Sequence, residues 1–172
     1  DYAGNVSVVY STYTVTYDTT APTVNMTFPA NGVTYSSILI STPVTGISGN
    51  TQASPNTGVS TVAVAISEVN NDGDYITCFN GTTFVGCAAA NWLPGQGPPT
   101  PWSFIDPDLS FTNDRKYKVE ARSMDTAGNT SVPSGVIIKY DLDKPTSTIV
   151  SPGNSYITSW SQIGGYAWDD VA

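Results

Sequence analysis

The chain repeats itself at long range, and self-similarity at a fixed period restricts a fold more than any single motif does. Asp1-Tyr-Ala-Gly-Asn-Val-Ser7 returns as Asp125-Thr-Ala-Gly-Asn-Thr-Ser131, and Tyr17-Asp-Thr-Thr-Ala-Pro22 returns as Tyr140-Asp-Leu-Asp-Lys-Pro145. Past the prolines, Phe28-Pro-Ala-Asn31 is echoed by Ser151-Pro-Gly-Asn154. The period is about 123 residues, the size of one small domain. The expected division is 1–17 for the end of an upstream repeat, 18–142 for a complete one, and 143–172 for the first strands of a downstream one. Each flank holds one or two strands, too few to fold alone.

The expected class is all-β. Thr, Ser, Val and Gly dominate and Tyr is frequent, while Glu, Leu, Lys and Arg are scarce, a balance that favours strands joined by tight turns. Period-2 patterning predicts strands over 23–28, 38–47, 60–69, 102–105, 116–123 and 135–140. Val62, Val64 and Ile66 share one face of the third, and Tyr117, Val119 and Ala121 one face of the fifth. Asn80-Gly81, between 76–79 and 82–84, predicts a type I′ hairpin turn. The Pro- and Gly-rich stretch 92–101 cannot pair as a central strand and reads as an ordered loop or crossover. The run Glu68-Val-Asn-Asn-Asp-Gly-Asp74 loosely echoes a calcium loop, but the twelfth position is Phe79 and no helical pattern flanks it, so it reads as a turn.

Several function classes are excluded by what the chain lacks. It has no His, which removes Ser-His-Asp and Cys-His catalysis and imidazole metal sites. The acids lie in turns and linkers rather than as a facing pair. Gly95-Gln-Gly97 sits among prolines, not after a strand as a phosphate loop would. A net charge of -8, from 6 basic and 14 acidic residues, leaves no basic stripe for nucleic acid. No apolar run approaches the roughly 20 residues of a membrane span. The expectation is a protein that is not an enzyme and that requires no cofactor.

The turn Tyr117-Lys-Val-Glu-Ala-Arg-Ser-Met-Asp-Thr-Ala-Gly-Asn-Thr-Ser131, the linker Tyr17-Asp-Thr-Thr-Ala-Pro-Thr23, and the middle section Cys78-Phe-Asn-Gly-Thr-Thr-Phe84 with Trp92-Leu93 and Trp102-Ser103 carry a resemblance. The chain resembles the bacterial immunoglobulin-like repeats of large secreted surface proteins and adhesins, similar in turn to fibronectin type III modules. The resemblance spans nearly the whole chain. It implies an immunoglobulin-like antiparallel β-sandwich with a partial neighbouring repeat at each end, and tandem arrays that act as stalks, spacers or adhesive fibres outside the cell. The strands over 23–28, 38–47, 60–69, 102–105, 116–123 and 135–140 then become A, B, C, E, F and G, and Tyr117 stands where such domains carry a tyrosine corner. Residues 1–17 become an F–G hairpin whose partners lie in an upstream repeat or another copy of the chain.

Cys78 and Cys87, nine positions apart around the Asn80-Gly81 turn, match neither a zinc ribbon nor a redox pair. A local disulfide is expected, with two reduced cysteines as the alternative. Sandwich topology brings Asp141 and Asp143 of the second linker toward Asp169 and Asp170, a cluster that calcium would bridge; solvated acids are the simpler reading. Asp18, Asp125 and Asn129 form a poorer set at the first linker, and a hydrogen-bonded turn accounts for them without an ion. Trp92 and Trp102 are candidates for stacking on sugars, against burial as sandwich aromatics. Function is expected to be structural, with neighbouring repeats and other copies in a fibre as partners. The alternatives are a module binding glycans or a host surface protein, and an accessory domain of a large secreted hydrolase.

Overall fold

The computed structural model describes residues 2–6, 12–36, 46–53, 58–97, 99–153, 156, 158–159 and 162–169. Among them the fold is all-β. A three-stranded sheet contains β1 (Thr23–Phe28), β3 (Ile47–Gln52) and β8 (Trp102–Phe104), in the order β1-β3-β8. A larger sheet runs β2 (Thr34–Tyr35), β10 (Ser134–Tyr140), β9 (Arg115–Asp125), β4 (Val59–Val69), β5 (Tyr75–Phe79) and β6 (Phe84–Gly86), and β7 (Leu93–Pro94) adds to the edge of β4. In strand letters the order is A-B-E against A′-G-F-C-C′-C″, an immunoglobulin-like sandwich. Pairing is antiparallel except between β2 and β10, where Thr34 and Tyr35 run parallel to Lys139 and Tyr140. The expected B strand over 38–47 falls mostly outside the described residues; β3 begins at Ile47 and runs to Gln52.

The core lies between the sheets because each strand alternates. Val62, Val64 and Ile66 of β4 and Val119 and Ala121 of β9 meet Ile47, Trp102 and Phe104 of the small sheet. Tyr117 is 1% exposed, and its hydroxyl accepts a 2.7 Å hydrogen bond from the backbone of Thr112, the tyrosine corner expected at the start of F. Burial raises the Tyr117 phenol above its ordinary value, partly offset by the bond from Thr112.

The Asn80-Gly81 hairpin forms, but not as a type I′ turn. Strand pairing ends at Phe79 opposite Phe84, and Asn80 N bonds Thr83 O at 3.0 Å. Gly81, with φ 95°, therefore takes the first central position of the reversal, where II′ turns place glycine. The Asn80 side-chain oxygen accepts from Thr82 N and Thr83 N, and this local bonding shifts the turn by one residue.

Strand C is buried on both faces. Ala65 and Ser67 alternate with the core residues yet are wholly buried. A disulfide joins Cys78 and Cys87, with Cα atoms 5.7 Å apart, and holds the following segment against that outer face. Ser67 donates to Cys78 Sγ at 3.3 Å, Asn91 donates to Phe79 O at 2.9 Å, and Leu93 pairs with Val64. The small side chains of Ala65 and Ser67 make room for this extra layer.

A second strand pair, β11 (Thr146–Ser151) with β12 (Gly164–Trp168), follows the sandwich. Its register copies that of β1 and β3, with β11 lying 123 residues after β1 and β12 lying 116 after β3: Thr23 opposes Gln52 as Thr146 opposes Trp168, and Met26 opposes Gly49 as Ile149 opposes Gly165. The register shift between Met26 and Phe28 recurs between Ile149 and Ser151. The Phe28-Pro29 and Ser151-Pro152 bonds are both cis. Residues 12–20 form no strand, and β10 has β9 on one side and β2 on the other.

Candidate functional site

The two ends of the sandwich carry the polar side chains that the sequence singled out. At the incoming end β9 finishes in the turn Asp125-Thr-Ala-Gly-Asn129, with Gly128 at φ 93° supplying the left-handed residue. Asp125 is 1% exposed; its two oxygens accept from Asn129 N at 2.8 Å and Asn129 Nδ2 at 2.9 Å. The same amide nitrogen donates to the backbone oxygen of Asp18 at 3.0 Å, which ties the incoming linker to the turn. Asp18 in turn accepts from Thr20 N at 2.8 Å. These bonds give Asp18, Asp125 and Asn129 a structural task in joining the linker to the turn.

The outgoing end gathers acids from two segments. Asp114, at φ 59°, closes the loop before β9, and its N-H bonds the last carbonyl of β10, Tyr140 O, at 2.8 Å. Asn113 clamps the departing linker: Oδ1 accepts from Leu142 N at 2.5 Å, and Nδ2 donates to Asp143 Oδ2 at 2.9 Å. Asp141 accepts from Asp143 N at 2.9 Å, the same bond one period on as that of Asp18 with Thr20. The result is that Asp114, Asp141 and Asp143 each place one carboxylate oxygen within 4.8 Å of the others. Lys139 reaches into the group, 3.5 Å from Asp141 and 3.9 Å from Asp114. Desolvation, then the charges of Asp143 and Asp141, raise the Asp114 carboxyl above its ordinary value, and Lys139 opposes them.

Asp141 and Asp143 thus converge with Asp114 of the sandwich itself, a residue the sequence reasoning missed. Asp169 is not a member of that group, and Asp170 lies outside the described residues. The signal for Asp114 was present: Asn113-Asp114 is a turn pair at the start of strand F, and F starts at the end from which G leaves.

Asp114→Asn should keep the left-handed backbone, which Asn tolerates, and remove the repulsion. The folded pKa of Asp114 stands above the unfolded one, so its unfavourable contribution is complete above the folded value and fades as pH falls toward the unfolded value. Urea unfolding should find the variant more stable than the parent at pH 7, with the gap closing toward pH 4. An equal gap at both values would show that charge is not its cause.

The tryptophans separate. Trp102 is 1% exposed in the core, which removes it as a stacking surface for a sugar. Trp92 is half-buried on the outer face, and the Arg122 guanidinium lies 4.3 Å from its ring centroid, so a cation already covers one face of the indole. Outward-facing Lys118 and Glu120 pair at 2.8 Å, with the Tyr75 hydroxyl donating to Glu120 at 2.7 Å. The hydrogen bond that Lys118 donates to Glu120 holds the ammonium above its ordinary value, against the desolvation that lowers it. Among the described residues, Tyr75, Lys118 and Glu120 form one polar network on the outer face of the large sheet. No protein-family model matches the chain, and no curated protein matches it.

Proposed function

We propose that this chain is a non-catalytic structural repeat of an extracellular surface fibre, sheath or adhesin stalk, and that it supplies length and stiffness. The observation that carries the reading is the copy of the β1–β3 pair in β11–β12, in the same register and with the same bulge. A domain that begins again on the same plan after a linker of a few residues is the unit of an array. Both linkers are tied down at the complete sandwich, the incoming one at Asn129 and the outgoing one at Asn113. Pro22 and Pro145 restrict the backbone there further. The disulfide fits an oxidising, extracellular compartment, and no helix among the described residues is long and apolar enough to cross a membrane. Lys139 offsets part of the acidic charge at the outgoing joint, and the reading assigns stiffness there to the hydrogen-bonded linker rather than to calcium.

Small-angle scattering on a protein of three complete repeats tests the proposal. An extended, rod-like profile is expected, unchanged by a chelator. A compact or freely jointed profile would overturn the structural reading, and an extended profile that collapses on chelation would assign the joint to calcium.

A further inference from the structure

The dipeptide Asn-Gly occurs at Asn31-Gly32 and at Asn80-Gly81, and in both the glycine takes a left-handed backbone, with φ 74° and 95°. A glycine after asparagine lets its own backbone nitrogen approach the asparagine carboxamide, because no Cβ stands in the way. The fold treats the two pairs differently. Gly32 N donates to Ile137 O at 2.7 Å, and Asn31 Oδ1 accepts from Ile137 N at 2.8 Å. Nitrogen and carboxamide are thus both tied across to β10, away from each other.

At the hairpin tip the bonding stays within the dipeptide's own segment. Asn80 Oδ1 accepts from Thr82 N at 3.0 Å and from Thr83 N at 2.9 Å, which folds the carboxamide forward along the chain that leaves it. Gly81 N directly precedes these two donors, and among the described residues it has no hydrogen-bond acceptor. Asn80 is exposed, so water reaches it. Two N-H groups aimed at one carbonyl oxygen draw electron density from its carbon and stabilise the negative oxygen that forms when a nucleophile adds there. Asn31 Oδ1 receives one such bond, so the two sites differ less in the activation of the carbonyl than in the freedom of the glycine nitrogen.

We propose that Asn80 is a site of self-modification, at which the Gly81 nitrogen attacks Asn80 Cγ and the turn converts through a cyclic imide to aspartate and isoaspartate, while Asn31 is held unreactive. The Gly81 nitrogen gives its proton to hydroxide, and its electron pair forms the bond to Cγ. The bond from Cγ to Nδ2 then breaks, and Nδ2 takes a proton from water and leaves as ammonia. Water next adds to one of the two imide carbonyls. Opening at the side-chain carbonyl leaves aspartate, and opening at the backbone carbonyl leaves isoaspartate. Nothing is oxidised or reduced, and water is the co-reactant. Isoaspartate routes the main chain through Cγ, so the bond from Asn80 N to Thr83 O and the two bonds to Oδ1 lose their geometry. A Cβ on Gly81 would stand 3.6 Å from Leu93 Cδ2, so the tip lies close to β7 and the change loosens the layer there. The inference does not depend on the repeat reading.

The test ages the 172-residue chain, folded and disulfide-bonded, in mildly alkaline buffer, beside the same chain held unfolded in guanidinium chloride with the disulfide reduced. Chymotryptic peptides carrying each dipeptide are separated and read by mass spectrometry for the exchange of amide for acid, and an isoaspartate-specific methyltransferase marks the isoaspartate product. In the unfolded chain the two sites should convert at similar rates, since each asparagine is followed by glycine. In the folded chain Asn80 should convert about tenfold faster than Asn31 or more, the factor set by the hydrogen bonds that must break at Asn31 before the ring can close. Asn80→Gln, which would have to close a larger ring, should stay unconverted and so assign the acid product in the parent to Asn80. A folded-state ratio of the two rates no greater than that in the unfolded chain overturns the proposal. So does an Asn80 that stays intact in the folded chain over the time in which the unfolded chain converts.

Discussion

Replacing Trp102 with alanine should cost the complete sandwich about 3–5 kcal/mol, the usual range for emptying a buried tryptophan site. Trp102 is among the largest wholly buried side chains, and it joins the two sheets through contacts with strands B and C. Among the described residues its Nε1 has no hydrogen-bond acceptor, so the loss is one of packing and cavity rather than of a polar bond. Its seat cannot refill easily: Gly49 offers no side chain to move into the gap, and Val62 is held by its β-sheet neighbours. Urea unfolding followed by far-ultraviolet circular dichroism measures the change, with the slope expected to stay constant. A loss below about 1 kcal/mol would mean that the small sheet contributes little to the cooperative unit.

Removing the disulfide by changing Cys78 and Cys87 together to alanine should cost about 2–3 kcal/mol. The lower part of the usual range applies because the bond closes a short loop, with a separation of 9 residues. The damage should be local before it is global. The segment after Cys87 is held by the bond, by Asn91 on Phe79 O, and by the short pairing of Leu93-Pro94 with β4. Without the bond, the layer over Ala65 and Ser67 should open first, and hydrogen exchange should quicken from residues 84 to 94 ahead of β9. Uniform acceleration across the sandwich would show instead that the bond stabilises only through the unfolded chain. No change in stability on reduction would refute a structural role for it.

Much of this was legible because it is local. Strand alternation has a period of two residues, so 23–28 coincides with β1, 60–69 lies one residue inside β4, and Val62, Val64 and Ile66 face the core. A cysteine pair flanking a hairpin needs no knowledge of distant chain to be read as a bond. The turn at Asn80 was misplaced by one residue because its geometry depends on which backbone groups the Asn side chain takes, a competition that a dipeptide rule does not resolve.

Other features depend on groups brought together from distant parts of the chain. Trp92 and Trp102 look alike in sequence, ten positions apart, yet one lies on the outer face against Arg122 and the other in the core, because the loop between them crosses from the edge of one sheet to the other sheet. Asp114 meets Asp141 and Asp143 only because β9 starts where β10 ends, a consequence of antiparallel pairing between Arg115 and Tyr140. The sequence by itself determined the repeat, its period, the all-β class and the strand faces, since each is written in spacing along the chain. Tertiary structure alone decided which acids share a pole, which tryptophan is buried and which glycine has an indole over it, since those depend on strand order and register across the sandwich.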